Sequence, residues 1–259
     1  MGYLRLRQIC LVATDLATVE KQIEDVLGLE ICFRDPGVGK YGLHNALFAA
    51  GGTFLEVVSP TKPDTAAGRY IDRRKGDGGY MYIIDCDNLE ARRDHFKAEG
   101  VRLVEDLNST EWGLTGEALH LHPRDTGGCL LSVDRHSPGH DMMGSYKWAG
   151  PKWQEHDRSK TITQIVGAAI QSADPADLAA KWSHLLQRPL RKAETGGMDI
   201  HLDQGFVHFG PLRDARGEGL RAVFLKTKDK ATVLANADKA GVHRGDDYVD
   251  LVGVRFMLV

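Results

Sequence analysis

The sequence predicts an α+β fold of four βαβββ modules, paired into two curved mixed-sheet half-barrel domains. Three observations carry this expectation. At four places an apolar strand runs into an aspartate and then an amphipathic helix, the helices are of nearly equal length, and short strand-like runs separated by turn signals follow the first three. Repetition of this kind fixes architecture before any motif does.

The first repeat is QICLVATD, ending at Asp15, followed by a helix whose Leu16, Val19, Ile23, Val26 and Leu27 recur with a 3.6-residue period. Asp15 suits its N-cap and Gly28 its stop. The second is YMYIIDCD, ending at Asp87, with Leu89 and Phe96 inward and Gly100 as stop. The third ends at Asp174, where Pro175 suits the first helical position and Leu178, Trp182, Leu185 and Leu186 form the apolar stripe. The fourth ends at Asp229, with Val233, Leu234 and Ala237 inward and Gly241 as stop. From aspartate to stop the spacings are 13, 13, 13 (to Gln187) and 12 residues.

Module one continues with EICFRD, GLHNALFAA and TFLEVVS, and module two with VRLVEDL, EALHLH and CLLSVD. Module three has the shorter runs MDIHL and FVHFG, and module four ends in GVRFMLV with room for one strand fewer. One such unit cannot cover both faces of its sheet, so the modules are expected to pair. This places one domain at 1–136 and another at 160–259, with 137–159 as a connector pinned by Met142, Met143, Trp148 and Trp153.

Composition sets the outer limits. The 42% hydrophobic and 27% charged content supplies enough apolar material for real cores, and a formal net charge of -3 argues against nucleic acid as partner. No apolar run reaches membrane-spanning length, and the N-terminus lacks the apolar core of a secretion signal. A soluble, cytoplasmic protein is therefore expected, with a small-molecule ligand and with homo-oligomerisation left open. Cys10, Cys32, Cys86 and Cys129 have no metal-binding or redox spacing and read as reduced thiols.

The segment His122-Pro123-Arg124-Asp125-Thr126-Gly127-Gly128-Cys129-Leu130-Leu131 resembles a hairpin of methylmalonyl-CoA epimerases, and QICLVATDL and TFLEVV are similar to the opening and closing strands of such a module. The chain thus resembles the glyoxalase/bleomycin-resistance, or vicinal-oxygen-chelate, superfamily over most of its length. The resemblance implies a cavity in which a divalent metal ion is held by residues from two slots per module. One slot lies seven residues before the helix-starting aspartate, the other four residues after the hairpin glycine.

In module one these slots hold Gln8 and Glu56, an amide and a carboxylate that suit a hard or borderline ion. In module two they hold Tyr80 and Ser132, where the resemblance calls for His and Glu. In the second half they fall on Gly167, Phe209, Ala222 and Met257, none of them a ligand. The iron site of extradiol dioxygenases is thereby excluded, the metal set is incomplete, and the second half reads as a scaffold.

Other polar residues have two readings each. His120 and His122 either face the cavity as ligands or bases, or else His120 packs or faces solvent and His122 opens the proline turn; the second reading is favoured. A two-residue Gly51-Gly52 turn puts Asn45 on the cavity side, and a three-residue loop puts His44 there. His201 and His208 read as a solvated or capped pair, with His208 pointing away from the cavity. The run Asp72 to Lys75 is a solvated surface, or a cavity mouth where Arg73, Arg74 and Lys75 attract an anionic substrate.

Two functions fit. The leading one is a lyase, epimerase or isomerase acting on a carbonyl or enolisable substrate, with Glu56, Tyr80 and His122 catalytic and Gln8, Asn45, Phe54, Tyr82 and Ser132 around the substrate. Here Glu56 moves the proton, and Tyr80 and Gln8 steady an oxyanion. A divalent ion on Gln8, Glu56 and a borrowed histidine is the lesser variant of that reading. The alternative is a non-catalytic protein of the bleomycin-resistance kind that sequesters a hydrophobic ligand against Tyr80, Tyr82 and Phe54. A third reading is a degenerate scaffold acting through partners.

Overall fold

A computed structural model describes residues 2–259. The first half runs β1 (Leu4–Val12), α1 (Leu16–Leu27), β2 (Ile31–Phe33), β3 (Leu43–Ala50), β4 (Thr53–Pro60), α2 (Ala66–Arg74), β5 (Gly78–Cys86), α3 (Leu89–Ala98), β6 (Leu103–Glu111), β7 (Leu114–Leu121), the short α4 (Pro123–Thr126) and β8 (Leu130–Ser137). Two 3-10 turns, Lys147–Ala149 and Trp153–His156, interrupt the connector. The second half runs β9 (Ile162–Ser172), α5 (Pro175–Leu186), β10 (Leu190–Lys192), β11 (Met198–His201), β12 (Phe206–Pro211), β13 (Gly219–Thr227), α6 (Lys230–Ala240), β14 (Tyr248–Leu251) and β15 (Val254–Leu258).

The first half forms an 8-stranded sheet in the order β2-β3-β4-β1-β5-β8-β7-β6, and the second a 7-stranded sheet in the order β10-β11-β12-β9-β13-β15-β14. In each, the first strands of two modules pair antiparallel at the centre, and each first strand pairs parallel with the last strand of its own module. Four modules are present, the fourth short by one strand. The fold is the predicted α+β arrangement of two curved mixed sheets.

The helices begin and end where cap chemistry dictates. The Asp15, Asp174 and Asp229 side chains accept the backbone N–H of Thr18, Asp177 and Thr232, and Gly28 and Gly241 close α1 and α6 in left-handed conformation. In module two the cap is Asn88, one residue beyond the predicted Asp87. This shifts the frame in which the slot is counted.

One hydrophobic core runs through both halves. It takes Leu16, Val19 and Ile23 of α1, Trp182 and Leu185 of α5, Val233 of α6, and residues of both sheets. The helices α1 and α6 touch, and α1 also reaches β14 of the other half. One face of each sheet is therefore committed to this shared interior, and the other face is concave. Arg74, predicted as surface or cavity mouth, is buried and donates to the carbonyls of Arg216, Gly217 and Glu218. Arg216 answers by donating to the carbonyls of Arg74, Gly76, Asp77 and Gly253.

Candidate functional site

The concave face of the first sheet encloses a cavity of about 360 Å3. Its position follows from the β3–β4 turn. Gly51 and Gly52 both have positive φ, 56° and 75°, which makes a two-residue hairpin turn that only glycines adopt cheaply. A Cβ on Gly51 would stand 2.0 Å from the Thr163 carbonyl oxygen. This turn pairs Leu47 with Glu56 and Asn45 with Val58, so Asn45 faces the cavity and the exposed His44 does not.

Glu56 is the centre of a buried amide–carboxylate cluster. Its Oε1 accepts from Asn45 Nδ2 at 2.6 Å and its Oε2 from Gln8 Nε2 at 2.8 Å. Gln8 is fixed in turn, because its Oε1 accepts the Tyr146 hydroxyl at 2.8 Å. Asn45 Oδ1 takes the backbone N–H of Asp35 at 2.8 Å. Burial pushes the Glu56 carboxyl up from its ordinary value, against the opposing pull of Asn45, Cys10 and Gln8.

A second carboxylate stands on the same cavity wall. Asp134 of β8 is 2% exposed, with Oδ1 accepting Ser132 Oγ at 2.5 Å and Oδ2 accepting Trp148 Nε1 at 2.9 Å. Burial raises it to about 7, against those two hydrogen bonds. Tyr80, also on the wall, is pushed up to about 12 by burial and stays a neutral phenol. Its hydroxyl makes no hydrogen bond to the described residues. His120 lies between Glu105 and Ser132 in the strand ladder, faces the cavity, and is pulled down to about 4 by burial, so it is a neutral imidazole near pH 7. This reverses the favoured sequence reading of His120.

Not every predicted residue reaches the cavity. His122 caps α4, its Nδ1 accepting the Arg124 N–H at 3.1 Å, as the favoured reading of the proline turn had it, so it is not a catalytic residue of the cavity. Tyr82 lies on the opposite face, donating its hydroxyl to the Phe206 carbonyl of the second half at 3.0 Å and packing on Trp182. Phe54 is on the concave face but sealed beneath the connector, stacked 4.4 Å from Tyr146 and edge-on to Trp153. Ser132 supports Asp134 rather than lining the wall.

Strand register corrects two slots. In each half the central strands carry bulges, at Arg7 and Tyr80 in the first and at Val166 and Arg221 in the second. The residue after each bulge lies seven before the helix cap: Gln8, Met81, Gly167 and Ala222. The parallel ladders then make Glu56, Ser132, His208 and Met257 equivalent. Module two therefore offers Met81, not Tyr80, in its first slot, and module three offers His208, not Phe209, in its last. His208 faces the second concave surface, contrary to expectation, while Phe209 packs on Trp182 in the core.

A chelated divalent ion does not fit the first cavity. Gln8 and Glu56 are bonded to each other and to Tyr146 and Asn45, and their partner slots supply a thioether and a hydroxyl already donated to Asp134. The described residues hold no group of three or more His, Cys, Asp or Glu arranged for a metal. The sequence reading missed Asp134 and the connector's contribution. The signals were available: Asp134 follows Ser132 by two residues on one strand face, and Tyr146, Trp148 and Trp153 form an aromatic run in an otherwise polar linker.

Comparisons with known proteins agree with this geometry at the level of family. The chain is 25% identical over 132 residues to the mitochondrial methylmalonyl-CoA epimerase of Mus musculus, which covers 51% of this chain and 72% of that protein. A hypothetical protein from Staphylococcus aureus superposes with a TM-score of 0.69 at 13% identity over 99% of both chains. The Mn(II)-bound glyoxalase from Novosphingobium aromaticivorans superposes with a TM-score of 0.64 at 14% identity, over 100% of this chain and 82% of that one. These two likenesses speak for the fold. The model of the glyoxalase-like domain matches residues 9–186, more than half of the sequence, and the chain belongs to that family, within the vicinal-oxygen-chelate superfamily.

Proposed function

We propose that the first cavity is an active site that moves a proton on a small carbonyl or enolisable substrate, in lyase, epimerase or isomerase chemistry, without a metal. One observation carries this reading: two buried carboxylates, both raised, stand on the wall of one cavity of about 360 Å3. A proton-transfer group works best when its pKa lies near the working pH, and Asp134 at about 7 meets that condition. Glu56 and Asp134 sit on β4 and β8, on either side of the central β1–β5 pair. One can remove a proton while the other returns it, which is the requirement of epimerisation or of a shift along an enediol. Tyr80, a neutral phenol with a free hydroxyl, supplies a hydrogen bond to the oxygen where negative charge develops. Gln8 and Asn45 keep Glu56 oriented.

The relative's name suggests the first substrate to try, an enolisable acyl thioester such as methylmalonyl-CoA. The domain division at 1–136, 137–159 and 160–259 is proposed on the same footing, with the connector belonging functionally to the first cavity. The apolar wall, with Leu43, Leu47, Val58 and Trp148, favours a sequestering protein as second reading.

Exchange of the substrate α-proton for deuterium, followed by NMR in D2O over a panel of acyl thioesters and α-hydroxy carbonyls, separates the two. The expected result is catalysed exchange that survives chelator and falls about 100- to 10,000-fold in Asp134→Asn and in Glu56→Gln, with folding intact. Binding without exchange would leave the sequestering reading, and full activity in both variants would remove these carboxylates from the mechanism.

A further inference from the structure

The second half has a cavity of its own, of about 1180 Å3, on the concave face of its sheet. No carboxylate–amide pair is found at its slots, which hold Gly167, Ala222, His208 and Met257. It holds cations instead. Arg221 occupies the bulge of β13, the position that Tyr80 holds in β5, and the bulge places its side chain on the cavity wall.

Among the described residues, the guanidinium groups of Arg221 and Arg213 enter no ion pair and no hydrogen bond, and Arg221 Nε is buried without a partner. The acids on the same wall are otherwise engaged. Asp199 holds His208 Nδ1 at 2.7 Å, Asp214 accepts Gln171 Nε2 at 2.7 Å, and Asp250 pairs with Arg255 at 2.9 Å. Glu194 is exposed and unpaired, on the same turn region as the exposed Arg191 and Lys192.

A half-buried guanidinium with no ion-pair partner is unfavourable, because the longer-range pull of Asp214 offsets its desolvation only in part. Burial, and then the like charges of Arg213 and Arg255, pull the Arg221 pKa down. A bound anion would relieve both penalties, and the planar fork of arginine matches carboxylate and phosphate geometry. The same cavity has an apolar floor, lined by Phe206 and Phe224, their rings 5.0 Å apart, and by Met257. An aromatic floor with a few convergent charges is the make-up of a small-molecule site.

We infer that the second cavity binds a small organic anion, its carboxylate or phosphate held by Arg221 and Arg213 and its apolar body resting on Phe206, Phe224 and Met257. This half is then a second ligand site and not a bare scaffold, and the inference stands independently of the chemistry of the first cavity.

The test is calorimetric titration with phenyl phosphate, benzoate and inorganic phosphate at constant ionic strength, with thermal unfolding in parallel. Phenyl phosphate or benzoate should saturate a single site and raise Tm, and inorganic phosphate should bind more weakly for want of the apolar contact. Whichever aromatic anion binds tighter identifies the headgroup. Arg221→Met should weaken binding at least tenfold while its ligand-free Tm equals or exceeds that of the unmodified protein, since it removes an unpaired charge. Arg213→Ala, a change at an exposed position, should weaken binding several-fold without touching the fold. The inference is overturned by absence of saturable binding of both aromatic anions at millimolar concentration, by unchanged affinity in the two variants, or by a ligand-free loss of Tm in Arg221→Met that marks the arginine as structural.

Discussion

Asp134 is held out of water at a cost in stability, and that cost has a pH signature. An unfolded aspartate ionises near about 4, whereas burial raises the folded group to about 7. Between those values the folded protein keeps a proton that the unfolded chain has released, so stability falls as pH rises through this window and is restored below it. The full shift corresponds to a loss on the order of 4 kcal/mol above pH 7. Asp134→Asn should therefore be more stable than the unmodified protein by a few kcal/mol at about pH 8 and equal to it at about pH 4, by urea unfolding at both. Ser132 can turn its hydroxyl to accept from the new amide, leaving the asparagine oxygen for Trp148. An asparagine variant that is less stable at the higher pH would contradict the raised carboxyl. At this scale the sequence was legible where local rules suffice: Gly51-Gly52 sets the register that brings Asn45 and Glu56 together. It misled where a bulge intervenes. Tyr80 takes the bulge, Met81 takes the slot, and Tyr82 is thereby turned to the opposite face, where period-2 reading alone could not place it.

The connector is the element whose role the sequence disguised. Its turns carry little periodicity, yet three aromatic side chains seat it: Trp153 edge-on to Phe54, Tyr146 stacked on Phe54 with its hydroxyl on Gln8, and Trp148 on Asp134. Such contacts join residues far apart in the chain, so the aromatic run marks the connector as pinned but not the residues it is pinned to, whereas the caps of α1, α5 and α6 are contained within a few residues and were read directly. The connector therefore tunes the site as well as covering it. Trp148→Phe removes one of two donors to the Asp134 carboxylate, a charge-assisted bond worth about 1.5–3 kcal/mol. The Asp134 titration should move upward by about one to two pH units, read by carboxyl-carbon NMR, with Glu56 little affected. A titration that stays in place would mean that Trp148 packs over the site without setting its proton affinity.

At the scale of the whole molecule, the paired modules were legible because each repeat leaves a sheet face that cannot be exposed. How the two halves meet was not, because the meeting is made by groups with no sequence signature: the Tyr82 hydroxyl on the Phe206 carbonyl, Arg92 on the Leu186 carbonyl, and the Arg74–Arg216 clasp on backbone oxygens. These bonds lie around a hydrophobic interior that takes residues from both sheets and from α1, α5 and α6. Neither half can keep its share of that interior buried alone, so the two should unfold together. Urea unfolding followed by tryptophan fluorescence and by far-ultraviolet circular dichroism should give one transition with superimposable curves. Arg74→Met, which removes the buried guanidinium that ties the carbonyls of residues 216–218 to the first half, should shift that single transition to lower urea, by about 1–3 kcal/mol, and should not split it. If one half instead melted ahead of the other in either protein, the shared interior would not couple them, and the second cavity would belong to a unit with a stability of its own.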